Sequence, residues 1–161
     1  MPDLITHITI SHLIRRPFDL LSSAQPLSSV HSLFYLGTLL PDLLTRPWYI
    51  LFPVTRDWTV FFHTPFGMLI TSGFLALLFS PSLRRSVFLH LICGAGLHFL
   101  LDSLQKQITG NNFWLFPFSY ANYSLGLAWA EEFMYYIPLW IMLVVLLELW
   151  FWKRRSGKRN T

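Results

Sequence analysis

FMYYIPLWIMLVVLLELWFW, residues 133 to 152, followed by the basic run KRR at 153 to 155, decides how the rest of the chain is read. Twenty residues with one Pro and one Glu rise about 30 Å as a helix, the thickness of a bilayer's hydrocarbon layer. The whole composition agrees with that first span. Hydrophobic residues make up 53% of the 161 and charged residues 12%, about half the charged share of an ordinary soluble domain. Seven Trp, six Tyr and fifteen Phe are the mixture that gathers where an apolar ring meets lipid headgroups.

Four further apolar runs precede that span. Pro65 to Phe79 and Val87 to Leu101 are joined by SPSLRRS and read as a helical hairpin. Val30 to Leu44 is interrupted at Pro41, and Leu4 to Ile14 is too short to cross alone. The expectation is an all-α integral membrane bundle with three to four spanning helices plus short N-terminal and interfacial helices. It forms a single domain over residues 1 to 152, with 153 to 161 a basic disordered tail. The net charge of +4 sits in clusters at Arg15-Arg16, Arg84-Arg85 and the tail. Each borders an apolar run, so these residues mark topology and no nucleic-acid partner is expected. Cys93 is the lone cysteine, which excludes an internal disulfide and any Cys-based zinc motif. Met-Pro-Asp-Leu has no basic n-region, so residues 1 to 14 are expected to stay in the mature protein.

Under the positive-inside rule, Arg84-Arg85 and the closing KRR face the cytoplasm. The opposite helix ends then bring His7, Asp42, His63, His98, Asp102, Glu131 and Glu132 toward one outer face. His98 and Asp102 are four apart and share one side of a helix. An ionised Asp in an apolar helix costs roughly 2.5–3.5 kcal/mol on insertion scales. A divalent cation would compensate it, and so would an Asp–His hydrogen bond between helices.

The other positions leave alternatives of the same kind. Asp3 repeats the spacing before His7, and a helix N-terminus suffices to explain it. Pro65 should fix where His63 points, by opening the next helix. Asp42 is either an N-cap or a carboxylate ligand. Glu131 and Glu132 are either a ligand and a catalytic base or a solvated pair at a helix start. His12, His31 and His90 lie on other faces or depths and are expected to be structural. The aromatic segment from Gln105 to Ala130 should lie on the outer interface and cover the site.

DLITH (3–7), GTLLPD (37–42), FFHTPFG (61–67) and HFLLDSLQ (98–105), in this order, resemble the YdjM-like family of membrane-bound metal-dependent hydrolases. The order of His and Asp also resembles the ligand order of zinc-dependent phospholipase C and nuclease P1. The resemblance implies a metal shell of Asp42, His63, His98 and Asp102, with His7 on a second ion bridged by Asp102. Departures lie at Leu43, Leu44, Thr45 and Gln105, and no His follows His98, so one or two ions fit better than three. The ion would be Zn, with Mn or Fe as substitutes. The function implied is an integral-membrane metal-dependent hydrolase, in which Glu131 or Glu132, by position rather than by the resemblance, would be the catalytic base or a ligand. Membrane lipid is its surroundings and a lipid-like phosphoester its substrate. The location implied is the prokaryotic cell membrane, with the C-terminus cytoplasmic. The competing class is a non-enzymatic membrane protein, a transporter subunit or assembly factor with structural His/Asp pairs. Haem ligation is disfavoured by the two aspartates.

Overall fold

The computed structural model describes residues 4–21, 28–106 and 113–159. The chain is mostly helical. Helix α1 (Leu4–Leu21) is followed by α2 (Ser28–Leu51). A series of short turns comes next: a 3-10 turn (Pro53–Thr55), α3 (Arg56–Thr59) and a second 3-10 turn (Val60–His63). Helices α4 (Pro65–Leu77) and α5 (Pro81–Ser103) form the hairpin. Strand β1 (Gln105–Lys106) pairs in parallel with β2 (Ala128–Trp129), and α6 (Ala130–Tyr135) and α7 (Ile137–Arg159) complete the chain.

Several boundaries differ from those expected. Helix α1 does not stop at Ile14 but passes through Pro17, and α2 passes through both Pro41 and Pro47. A proline forfeits one backbone hydrogen bond, a local loss that packing against neighbouring helices can outweigh. The contact between α2 and α5 supplies such packing at two glycines. A Cβ on Gly37 would lie 2.8 Å from the Leu91 Cα, and one on Gly94 would lie 2.7 Å from the Thr38 amide nitrogen. Only glycine allows the two backbones this close, the device by which small residues join helices in membranes.

The run from Phe133 to Trp152 is divided at Tyr136, because Pro138 belongs in the first turn of a new helix. Helix α7 then continues to Arg159, so the basic tail is helical through that residue rather than disordered. Arg84 and Arg85 lie in the first turns of α5, not in a linker before it.

Among the described residues one helix, Pro81–Ser103, is long and apolar enough to cross a membrane. The segments Pro53–His63 and Pro65–Leu77 qualify together but are bent by 78°. Helices α2 and α7, counted among three to four spans, carry Asp42 and Arg46 in one case and Glu148, Lys153 and Arg154 in the other. Leu40, Met68, Ala95 and Phe99 form the core directly under the site, with Leu44, Leu75, Ile92 and Trp114 against it.

Candidate metal centre

Four separate elements each deliver a side chain to one buried point. From α1 comes His7, from α2 Asp42, from the 3-10 turn His63, and from α5 His98 and Asp102. All five are buried, and none is more than 4% exposed. His63 is aimed by the turn after it. Thr64 is extended (φ −126°, ψ 151°), and its Oγ1 accepts the Gly67 N–H at 3.0 Å while donating to the Phe61 carbonyl at 2.8 Å. Pro65 fills the first helical position, where a missing N–H costs nothing. Gly67 is required because a Cβ there would run into the Phe61 carbonyl. The motif HTPFG is thus a cap that ends one segment at His63 and starts another at Pro65.

The donor separations are short and similar. His63 Nε2 and His98 Nε2 are 3.1 Å apart. Asp102 Oδ2 lies 3.2 Å from His63 Nε2 and 3.3 Å from His98 Nε2. Asp42 Oδ1 lies 3.6 Å and 3.9 Å from the same two nitrogens. A tetrahedral ion with bonds of about 2.0–2.1 Å sets its ligand atoms about 3.3–3.4 Å apart. These five separations bracket that edge. On the far side of Asp102, Oδ1 lies 3.6 Å from His7 Nε2, and the His7 and His98 rings are 4.3 Å apart at their centroids. Two overlapping groups can therefore hold a metal ion: Asp42 with His63 and His98, and His7 with His98 and Asp102.

Both carboxylates present oxygens to imidazole nitrogens, so the cluster needs positive charge, from protons on the histidines or from an ion. Among the described residues, the Nδ1 atoms of His63 and His98 have no hydrogen-bond partner. If they carry the ring protons, both Nε2 lone pairs face the common point. Arg46, which sequence reasoning overlooked, donates from Nη2 to Asp42 Oδ2 at 2.7 Å and leaves Oδ1 facing the histidines. This fixing of a ligand by an outer partner is common at metal sites. The four-residue spacing from Asp42 to Arg46 was its only signal.

The remaining sequence candidates fall elsewhere. Glu131 and Glu132 are exposed, and Glu132 Oε2 accepts the Trp129 N–H at 2.8 Å, so neither joins the cluster. Asp3 lies outside the described residues. His12 belongs to a second network. Its Nε2 donates to Glu148 Oε1 at 2.9 Å and its Nδ1 lies 3.1 Å from the Tyr35 hydroxyl. Arg16 grips the same carboxylate with Nε at 2.6 Å and Nη2 at 2.9 Å. His90 lies 2.7 Å from the Ser86 carbonyl through Nδ1.

Aromatic residues of the segment after α5 meet the cluster's surroundings. Trp114 packs against Phe99, whose ring also meets the rings of His63 and His98 edge-on. Phe116 meets Phe61 in the same way. Comparisons with family models, curated proteins and solved structures found no match.

Proposed function

We propose that the chain is an integral-membrane metal-dependent hydrolase that uses one or two divalent ions, zinc by donor chemistry, to cleave a lipid-like phosphoester. The observation that carries this reading is the convergence of Asp42, His63, His98 and Asp102, with five donor separations of 3.1–3.9 Å that lie around the edge length of a tetrahedral site. Mixed imidazole and carboxylate donors suit zinc, with manganese or iron as alternatives. Bound there, the ion would polarise a scissile phosphoryl group and lower the pKa of a coordinated water toward about 7. The resemblance of DLITH, GTLLPD, FFHTPFG and HFLLDSLQ to the YdjM-like family points the same way.

Membrane residence is supported by an inverted distribution of polarity. Thirteen polar or charged side chains are buried among the described residues, against nine apolar ones. Meanwhile Phe74, Leu78, Ile50, Leu51 and Trp152 are largely exposed. Such an exterior suits lipid rather than water, where apolar patches of this kind associate. The cluster lies at the end of α5 opposite Arg84 and Arg85, and under the positive-inside rule this supports a site near the outer face with a cytoplasmic C-terminus.

Charge supports an anionic substrate such as a phosphoester. Asp42 and Asp102 carry two negative charges and Arg46 one positive, so a divalent ion leaves the site with a net positive charge and favours an anionic substrate. Elemental analysis of the purified protein tests the reading. Near-stoichiometric metal, lost in His98→Ala and Asp102→Ala together with turnover, supports it. Metal-free wild type, with those variants merely less stable, would instead establish a hydrogen-bonded His/Asp core in a non-enzymatic membrane protein.

A further inference from the structure

The face of α5 that carries His98 and Asp102 extends beyond the helix end. Leu104 retains right-handed helical backbone (φ −71°, ψ −19°), so Gln105 takes what would be the next helical position. Residues 98, 102 and 105 then follow the i, i+4, i+7 spacing of a single face. Gln105 is fully buried, and among the described residues neither its Oε1 nor its Nε2 has a hydrogen-bond partner. The backbone around it is held firmly. Gln105 pairs with Ala128, the Leu104 carbonyl accepts the Leu127 N–H at 2.8 Å, and the Ser103 carbonyl accepts the Leu125 N–H at 2.6 Å.

An unpartnered carboxamide in a dry interior is among the least favourable arrangements in a folded chain, and a leucine of similar size would be more stable there. Beside the same helix end, Ser103, Trp114, Asn122, Tyr123, Ser124 and Leu125 line an open cleft of about 400 Å³. The cleft has room for a headgroup-sized molecule. Phosphoryl oxygens only accept hydrogen bonds, and a carboxamide N–H meets them without adding charge.

We propose that Gln105 is a substrate-binding residue of this site, donating from Nε2 to a non-bridging phosphoryl oxygen of the molecule held at the ion. The assignment rests on the metal-hydrolase reading above. The phosphoryl group belongs either to a lipid headgroup or to a soluble phosphate, and the chemistry recognised is the same.

The test uses the full-length protein, zinc-loaded in detergent, with Gln105→Leu and Gln105→Met beside wild type. Zinc per chain is read first, then the thermal midpoint without ligand, then the Kd for inorganic phosphate and for a short-chain phosphatidic acid. The expected result is unchanged zinc, a midpoint equal to or above that of wild type, and phosphate binding weaker by about tenfold or more. Weakening for both ligands means that phosphate of either source is recognised; weakening for the lipid alone means a headgroup. Affinities within about twofold of wild type for both ligands overturn the proposal. So does a lowered midpoint or a failure to fold in both variants, since either makes the amide structural. A wild type that takes up no zinc removes the hydrolase reading and this inference with it, a result the first measurement separates from the others.

Discussion

The Nε2 atoms of His63 and His98 face one another at 3.1 Å across 35 residues of sequence. The HTPFG cap holds one of them and the last two turns of a long helix present the other. Two neutral imidazoles meeting in this way share at most one proton between them. A cation between them removes the repulsion of their lone pairs and satisfies Asp42 and Asp102 as well.

His98→Ala is expected to lower bound zinc at least tenfold, because the residue belongs to both donor groups. A tenfold change in Kd corresponds to about 1.4 kcal/mol, less than the loss of a direct ligand. His12→Ala, at a histidine bound to Glu148 and Tyr35 instead, should leave zinc unchanged. Elemental analysis of the two purified variants checks the contrast, and equal zinc in both would exclude the assigned shell.

Arg46→Met should keep most of its zinc, since Asp42 Oδ1 still faces the histidines. It should lower kcat/KM on an anionic phosphodiester probe by about 10–100-fold, the range for a lost charge-assisted hydrogen bond. Hydrolysis of a neutral carboxylic ester, if present, should change little. Arg46→Lys restores charge without the planar fork and should recover only part of the loss. Equal losses on the neutral and anionic probes would contradict a charge-recognition role.

Gly94→Ala is expected to destabilise the protein by about 1–3 kcal/mol, the usual effect of overpacking. The new methyl would meet the Phe34 carbonyl and the Thr38 amide across the α2–α5 contact. Gly96→Ala provides the control two residues away. Among the described residues no atom outside its own helix backbone and chain neighbours lies within 4 Å of its Cβ position, so helix propensity alone should act and raise stability by up to about 1 kcal/mol. Thermal midpoints of the two variants should move in opposite directions.

Glu148→Leu leaves Arg16 and His12 without the carboxylate that links α7 to α1. The single variant should unfold at a lower temperature, and Arg16→Met added to it should restore part of the loss. A coupling of about 0.5–1.5 kcal/mol is expected from a double-mutant cycle, the scale of polar contacts between side chains in direct contact. Strict additivity would mean that the pair does not hold α7.

Much of the cluster was legible because its parts are local. The four-residue step from His98 to Asp102, the proline after His63 and the Asp of LPD each state a direction in a few residues. The arginine clusters then suffice to place those pieces at one end of the molecule. The Glu148 network was hidden, since its partners lie 132 and 136 residues away and carry no spacing signature. Helix continuation through Pro17, Pro41 and Pro47 was hidden for a related reason. Proline's local effect is visible in the sequence, whereas packing such as that at Gly37 and Gly94 is tertiary. Arg46 stands at i+4 from Asp42, a spacing that does not mark it as part of a site, because an Asp–Arg pair on a helix is usually a surface salt bridge.

Both donor groups draw on the single ring of His98. A neutral imidazole offers one lone pair, so two cations can occupy both groups fully only if that ring also surrenders its remaining proton. Filling of the pair is therefore competitive: whichever ion arrives first weakens the hold on the second, and by reciprocity the second weakens the first to the same degree. A metal titration should accordingly run in two separated steps, the later one moving to lower metal concentration as the solution is made more alkaline.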